Sequence, residues 1–230
     1  MMWKTRIVGG VLGVALLAGA GSADGECLEA VFFDLGDTLV EDSGGLFVLR
    51  PGAAQVVQEL QDFGVPLGII TNVPAGWTRD DLEAILADPS FLDEFDVLVL
   101  SSQAPAPKPD PAIYTFAHGL LPLPVAIPRT AFVGETLGEI ADLEVDPTEG
   151  ARAVGMVGIH LSDAPPSPLA DFTVPTDDLP AVAAIVRDSC ALFEDGFESG
   201  DTSAWSAATA PLAAPGGPSL PLALPASAGW

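Results

Sequence analysis

The stretch Ala30-Val31-Phe32-Phe33-Asp34-Leu35-Gly36-Asp37-Thr38-Leu39 decides the fold. Four consecutive apolar residues, short and rich in aromatic and branched side chains, read as a strand covered on both faces, and such strands belong to parallel sheets. The run stops at a carboxylate, Asp34. The same pattern recurs downstream: Pro66-Leu67-Gly68-Ile69-Ile70 ends at Thr71-Asn72, Phe95 to Leu100 runs into Ser101 and Ser102, and Thr130 to Val133 meets Gly134-Glu135. Met156 to Ile159 supplies a fifth strand. Helical stripes alternate with these strands. Pro51 to Phe63 carries Ala53, Val56, Val57 and Leu60 and is closed by Gly64; Thr78 caps a helix holding Leu82, Ile85 and Leu86. Asp110-Pro111 opens a helix with Ile113, Phe116, Ala117 and Leu120, and Leu179, Val182, Ala183 and Val186 form a last stripe. Strand and helix in alternation predict an α/β fold, a central parallel sheet between layers of helices.

In an open sheet of this kind ligands bind beyond the carboxyl ends of the strands. Those ends here offer Asp34, Thr71, the loop holding Lys108, and Glu135. A carboxylate, a hydroxyl, an ammonium and a second carboxylate meeting in one crevice suit phosphoryl transfer: one group attacks phosphorus while the others offset the charge on its oxygens. Singly, each has a plainer account. Asp34 and Thr71 can be polar residues that end buried strands, Lys108 a solvated lysine in a proline-rich loop, and Glu135 a turn acid on a very acidic protein.

Across nearly all of residues 29–161 the chain resembles the haloacid dehalogenase (HAD) superfamily. The resemblance is carried by Phe33-Asp34-Leu35-Gly36-Asp37-Thr38-Leu39, Ile70-Thr71-Asn72, Lys108-Pro109-Asp110-Pro111-Ala112-Ile113-Tyr114, Phe132-Val133-Gly134-Glu135 and Gly150-Ala151-Arg152-Ala153-Val154-Gly155-Met156. It implies a three-layer Rossmann-like core, with Asp34 as the nucleophile that forms an aspartyl-phosphate. It further implies that Thr71, Asn72 and Lys108 bind the phosphoryl group, and that Asp34, the Gly36 carbonyl and Glu135 hold Mg²⁺, a hard ion that prefers oxygen ligands.

Three departures bear on activity. Phosphatases of the family usually carry a second aspartate, the general acid/base, two residues after the nucleophile; here that position is Gly36 and the next acid is Asp37. Asp37 is the candidate replacement, its alternative being a turn residue bonded to its own backbone. The fourth motif usually reads Gly-Asp, whereas this chain has Gly134-Glu135; Glu139 and Asp142 are further candidate ligands, and Asp146 before Pro147 reads as a helix cap. Finally, Asp34 and Thr71 are 37 positions apart, as are Thr71 and Lys108, which leaves no room for a cap domain. Many relatives use such a lid to choose small substrates, so an uncapped site admits larger ones. Gly44-Gly45 marks a short flap in its place.

The ends of the chain read differently. Lys4 and Arg6 precede the apolar run Ile7 to Ala20 and then Ala18-Gly19-Ala20-Gly21-Ser22-Ala23, the pattern of a secretory signal peptide over residues 1–23. This predicts export to the periplasm or the exterior. These residues hold two of the eight basic side chains and none of the 32 acidic ones, so the remainder carries a formal charge of −26. That charge repels nucleic acid and anionic membranes, so neither is an expected partner. Residues 24–190 form the catalytic core, 191–205 a short acidic and aromatic segment, and 206–230 a flexible Ala/Pro-rich tail. Cys27 and Cys190 flank the core: a disulfide would staple its two ends, and two separate buried thiols are the alternative.

Together these readings predict a Mg²⁺-dependent phosphate monoester hydrolase acting on a phosphorylated substrate. The rival is a weakly active or inactive HAD-like module that binds metal, phosphate or a partner protein.

Overall fold

The computed structural model describes residues 27–141 and 148–194. The leader-like residues 1–23, the chain after Glu194, and the acids Asp142 and Asp146 lie outside them. β1 (Ala30–Phe33) sits inside a six-stranded parallel sheet of order β5-β4-β1-β6-β7-β8. The other strands are β4 (Leu67–Thr71), β5 (Val97–Leu100), β6 (Thr130–Gly134), β7 (Val157–Leu161) and β8 (Phe172–Val174). The helices are α1 (Ala53–Phe63), α2 (Arg79–Glu83), α3 (Pro111–His118), α4 (Leu137–Ile140) and α5 (Ala181–Glu194). The second of the chain's two units, Ala191–Trp230, is described only through Glu194, where α5 ends.

Alternation along β1 builds the two outer layers. Val31 and Phe33 pack with α1 (Val56, Val57, Leu60) and α5 (Val182, Ala183, Val186), while Phe32 points the other way onto Ile113, Tyr114 and Ala117 of α3. All four residues of β1 are buried, as a strand covered on both faces must be. The expected three-layer arrangement is therefore the observed one. One stripe differs from expectation. In α3 the buried residues are Ile113, Tyr114 and Ala117, whereas Phe116 and Leu120 are exposed.

Gly68 is the close approach that lets β4 lie beside β1. A Cβ there would stand 2.3 Å from Cδ1 and Cε1 of the Phe32 ring. Gly68→Ala is expected to lower stability by about 1–3 kcal/mol, the usual range for overpacking. Chemical denaturation measures it, and an unchanged midpoint would mean that the ring has room to turn aside.

Between β1 and α1 the chain forms an antiparallel hairpin, β2 (Val40–Asp42) with β3 (Phe47–Leu49), and Gly44 and Gly45 take positive φ at its tip. The hairpin is docked on the α2 region: Phe47 N–H donates to the Ile85 carbonyl and Ala87 N–H to that of Phe47, both at 2.8 Å. Thr78 caps α2 as expected, with Asp81 completing the capping box, but the helix ends at Glu83 and leaves Ile85 and Leu86 beyond it. Cys27 and Cys190 are joined by a disulfide with Cα atoms 4.2 Å apart, and Leu28 N–H donates to Ser189 Oγ beside it. No helix among the described residues is long and apolar enough to cross a membrane.

Candidate active site

The site is assembled at the carboxyl ends of β1, β4 and β6. Asp34 follows β1 directly, and its N–H donates to the Val133 carbonyl of β6. Its Oδ1 accepts from Leu35 N–H at 2.7 Å and lies 2.5 Å from Lys108 Nζ. The same ammonium is 2.6 Å from Glu139 Oε2 and 5.5 Å from the centroid of the Phe132 ring. Lys108 is only 4% exposed, so its charge acts with little screening by water.

The lysine is held from both sides. Asn72, just past β4, donates through Nδ2 to the Lys108 carbonyl (3.0 Å) and accepts from Lys108 N–H through Oδ1 (2.9 Å). The cis Lys108–Pro109 bond follows, and Tyr114 donates its hydroxyl to the Glu139 carbonyl on α4. The Asn72 amide, expected to meet substrate, is thus occupied in positioning Lys108. Thr71, the last residue of β4, is 6% exposed, and its hydroxyl has no hydrogen-bond partner among the described residues.

Glu135, at the end of β6, accepts from Thr38 Oγ1 (3.3 Å) and Thr136 Oγ1 (2.6 Å), and its backbone carbonyl contacts His160 Nε2. Thr38 and His160 escaped the sequence reading. Thr38 stands inside the quoted stretch, yet nothing in its spacing tells that its hydroxyl crosses to β6. Arg50 was missed as well: its guanidinium donates to the carbonyls of Asp37 and Thr176, fixing the turn after Asp34. In that turn Asp37 has φ 53°, its N–H donates to the Val40 carbonyl, and its side chain is exposed.

Two carboxylates contact one ammonium, and a third, Glu135, feels its charge. Burial raises Asp34 from its ordinary 3.8 to about 7; Lys108 opposes this, while Glu139 and Glu135 add to it. Burial likewise raises Glu139 against the pull of Lys108. Burial works to raise Glu135 too, but hydrogen bonds from Thr136, its own N–H and Asp34, with the charge of Lys108, hold it below the ordinary range. Fully ionised, the cluster has two negative charges in excess, which a hard dication would offset. Oxygen donors are the kind such an ion prefers. Asp34 and Glu135 follow the neighbouring strands β1 and β6, and the Gly36 carbonyl accepts no backbone hydrogen bond among the described residues. No group of three or more Asp, Glu, His or Cys side chains among the described residues is placed to hold a metal ion, so the ligands open to a dication are Asp34, Glu135 and backbone oxygens such as the Gly36 carbonyl.

This electrostatic strain carries a stability prediction. Native Asp34 keeps its proton between about pH 4 and 7, where the unfolded chain has lost it. The native state binds more protons in that window, so the contribution is fully present below pH 4 and lost as pH rises to 7. Asp34→Asn removes the titration. Without metal, the variant should gain on the parent from pH 4 to 7.5, by on the order of 2–4 kcal/mol. Thermal melts in chelator at several pH values test this; a difference that ignores pH would contradict it.

Residues 45–141 match the haloacid dehalogenase-like hydrolase family, a span that includes Thr71, Lys108 and Glu135 and starts after Asp34. The chain superposes on the crystal structure of an L-2-haloacid dehalogenase with a TM-score of 0.53 at 14% identity, over 70% of this chain and 99% of that one. The fold is the HAD fold. Relatives at the sequence level include a sesquiterpene phosphatase of Aspergillus oryzae, 31% identical over 118 residues, which are 50% of this chain and 53% of that protein. A phosphoglycolate phosphatase of Pseudomonas fluorescens is 28% identical over 129 residues, 56% of this chain and 42% of that one. The chain thus spans about half the length of the curated relatives it matches. In this HAD framework Asp34, Thr71, Lys108 and Glu135 come together at one sheet edge, and Gly36 stands beside them without a side chain.

Proposed function

We propose that this protein is a Mg²⁺-dependent phosphate monoester hydrolase without a cap domain that works through an aspartyl-phosphate on Asp34. The observation that carries the reading is the buried Lys108 between Asp34 and Glu139 at the sheet edge. A cation set that firmly against a carboxylate opposes the rise that burial imposes on it, favouring the ionised form that attacks, and offsets charge on the incoming phosphoryl group. The family match and the phosphatases among the relatives support the same conclusion. In the first half-reaction a carboxylate oxygen of Asp34 bonds to phosphorus as the ester P–O bond breaks. Thr71 donates its unpartnered hydroxyl to a phosphoryl oxygen, and Lys108 neutralises the transferring group. Water then attacks phosphorus, releasing inorganic phosphate and restoring the carboxylate. The exposed Asp37 is the nearest acid in sequence that could serve the leaving group.

The hairpin between β1 and α1 supports an uncapped site open to substrates larger than a lidded site admits. The leader-like residues 1–23 and the Cys27–Cys190 bond support an exported location, where disulfides persist. Hydrolysis of an aryl phosphate by the full-length protein, with and without Mg²⁺ and beside Asp34→Asn, tests the assignment. Turnover that needs both Mg²⁺ and Asp34 is expected. A folded protein that releases no phosphate from any of a panel of monoesters would favour the binding-module alternative, to which Gly36 gives some support.

A further inference from the structure

A cavity of about 210 Å³ opens against Leu35 and Gly36, the two residues after Asp34, and against Thr71. Its walls are Val40 and Phe47 of the hairpin, Trp77 of the loop after β4, and Leu82, Ile85 and Leu86 of the α2 region. No charged side chain lines it. The polar side-chain groups among its lining residues are the Thr71 hydroxyl, the Trp77 indole N–H and the Asn72 amide, which is paired with the Lys108 backbone. The cavity is built in advance. The Phe47 hydrogen bonds to Ile85 and Ala87 tie two walls together, and Ser102 Oγ donates to the Trp77 carbonyl at 2.6 Å.

We propose that this slot receives the leaving group and that the substrate is a phosphate monoester of an apolar phenol, a reading that rests on the phosphatase assignment above. Two independent features lead there. The first is the lining. A sugar or polyol phosphate would bury hydroxyls against Val40, Phe47 and Leu86 with no partners, which is unfavourable for each unpaired group. An aromatic ring leaves nothing unpaired. Size agrees: a dry cavity of about 150 Å³ holds benzene, so this slot holds one ring with small substituents.

The second feature is Gly36. No side chain at that position can protonate a departing oxygen. A phenol, with a pKa of about 10, leaves as its phenolate, taking the electron pair of the broken P–O bond and a proton later from water. An aliphatic alkoxide, about as basic as hydroxide, needs the proton during the step. The balanced reaction is aryl phosphate plus water giving the phenol and inorganic phosphate. The slot and the absence of a side chain at Gly36 thus favour the same class of ester, with the exposed Asp37 left to serve any ester that needs a proton.

The test is calorimetric binding to full-length Asp34→Asn in Mg²⁺, which separates binding from turnover. The probes are phenyl phosphate, glycerol 3-phosphate and inorganic phosphate. Phenyl phosphate is expected to bind on the order of 30-fold tighter than glycerol 3-phosphate, from the apolar area the ring buries. Adding Trp77→Ala should shrink that ratio to a few-fold, and Trp77→Phe should keep most of it. If inorganic phosphate binds but the two esters bind equally, the slot assignment is wrong while the phosphatase assignment stands. If none of the three phosphates binds, both are wrong.

Discussion

Gly36→Asp is expected to raise turnover of alkyl phosphates by about 10²–10⁴, the usual contribution of a positioned acid/base, while changing aryl phosphate turnover little. The site has room for it. A Cβ built on Gly36 meets no atom within 4 Å, and Gly36 is absent from the glycines with positive φ, so an aspartate fits without backbone strain. The carbonyl offered to Mg²⁺ belongs to the backbone and survives the substitution. Discrimination between leaving groups is the informative readout. An ester that departs as a stable phenolate gains little from a proton donor, whereas an alkoxide gains the full factor. A plot of log kcat against leaving-group pKa should therefore flatten in the variant. No gain on alkyl esters, with a large loss in Asp37→Asn, would show that Asp37 already supplies the proton from its turn.

Lys108→Met should remove catalysis and stability together. The methionine keeps an apolar stem over Phe132 but leaves Asp34, Glu135 and Glu139 with no cation among them. Turnover should fall by about 10³, at the upper end for losing one charged donor at a developing charge. Stability without metal should fall by about 3–5 kcal/mol at neutral pH, the range for breaking a buried pair. The pH dependence has a definite sign. Without Lys108 the carboxyl groups of Asp34 and Glu139, already raised, rise further, so the native state holds extra protons that the unfolded chain lacks. Their contribution is present below the ordinary carboxylate range and disappears as pH rises, so the defect should be small near pH 4 and large at pH 8. Mg²⁺ should restore part of the melting temperature at pH 8. A variant equally unstable at both pH values would mean that Lys108 matters for packing and not for charge.

Much of this site was legible because parallel strands announce themselves. Runs such as Ala30–Phe33 and Thr130–Val133 are apolar throughout, and a polar residue that ends each one must lie at a sheet edge where ligands bind. Asp34, Thr71 and Glu135 were found on that ground. The rest depended on contacts that no periodicity encodes. In α3, Ile113 and Ala117 are compatible with two buried stripes, one adding Phe116 and Leu120, the other Tyr114. Apolarity favours the former, but Tyr114 is the buried residue because its hydroxyl reaches the Glu139 carbonyl. Asn72 beside Thr71 invited a role toward substrate, and only the fold shows both ends of its amide on Lys108. The three-residue strands β2, β3 and β8 are too short to alternate visibly; Phe172 of β8 is exposed, and β2 carries Glu41 and Asp42.

The strand order has a consequence for how such a chain reaches its native state. β1 is the first strand to emerge during synthesis and ends up in the middle, between β4 and β6. Until about a hundred more residues have followed, Ala-Val-Phe-Phe is an apolar segment with at least one naked edge, the kind of surface that aggregates or is captured by a holdase. Cys27, three residues before it, waits longer still, because its mate lies in α5, after the last strand. The native cross-link can close only once every strand of the sheet has been made. In an oxidising compartment, the appearance of that bond would time the end of folding.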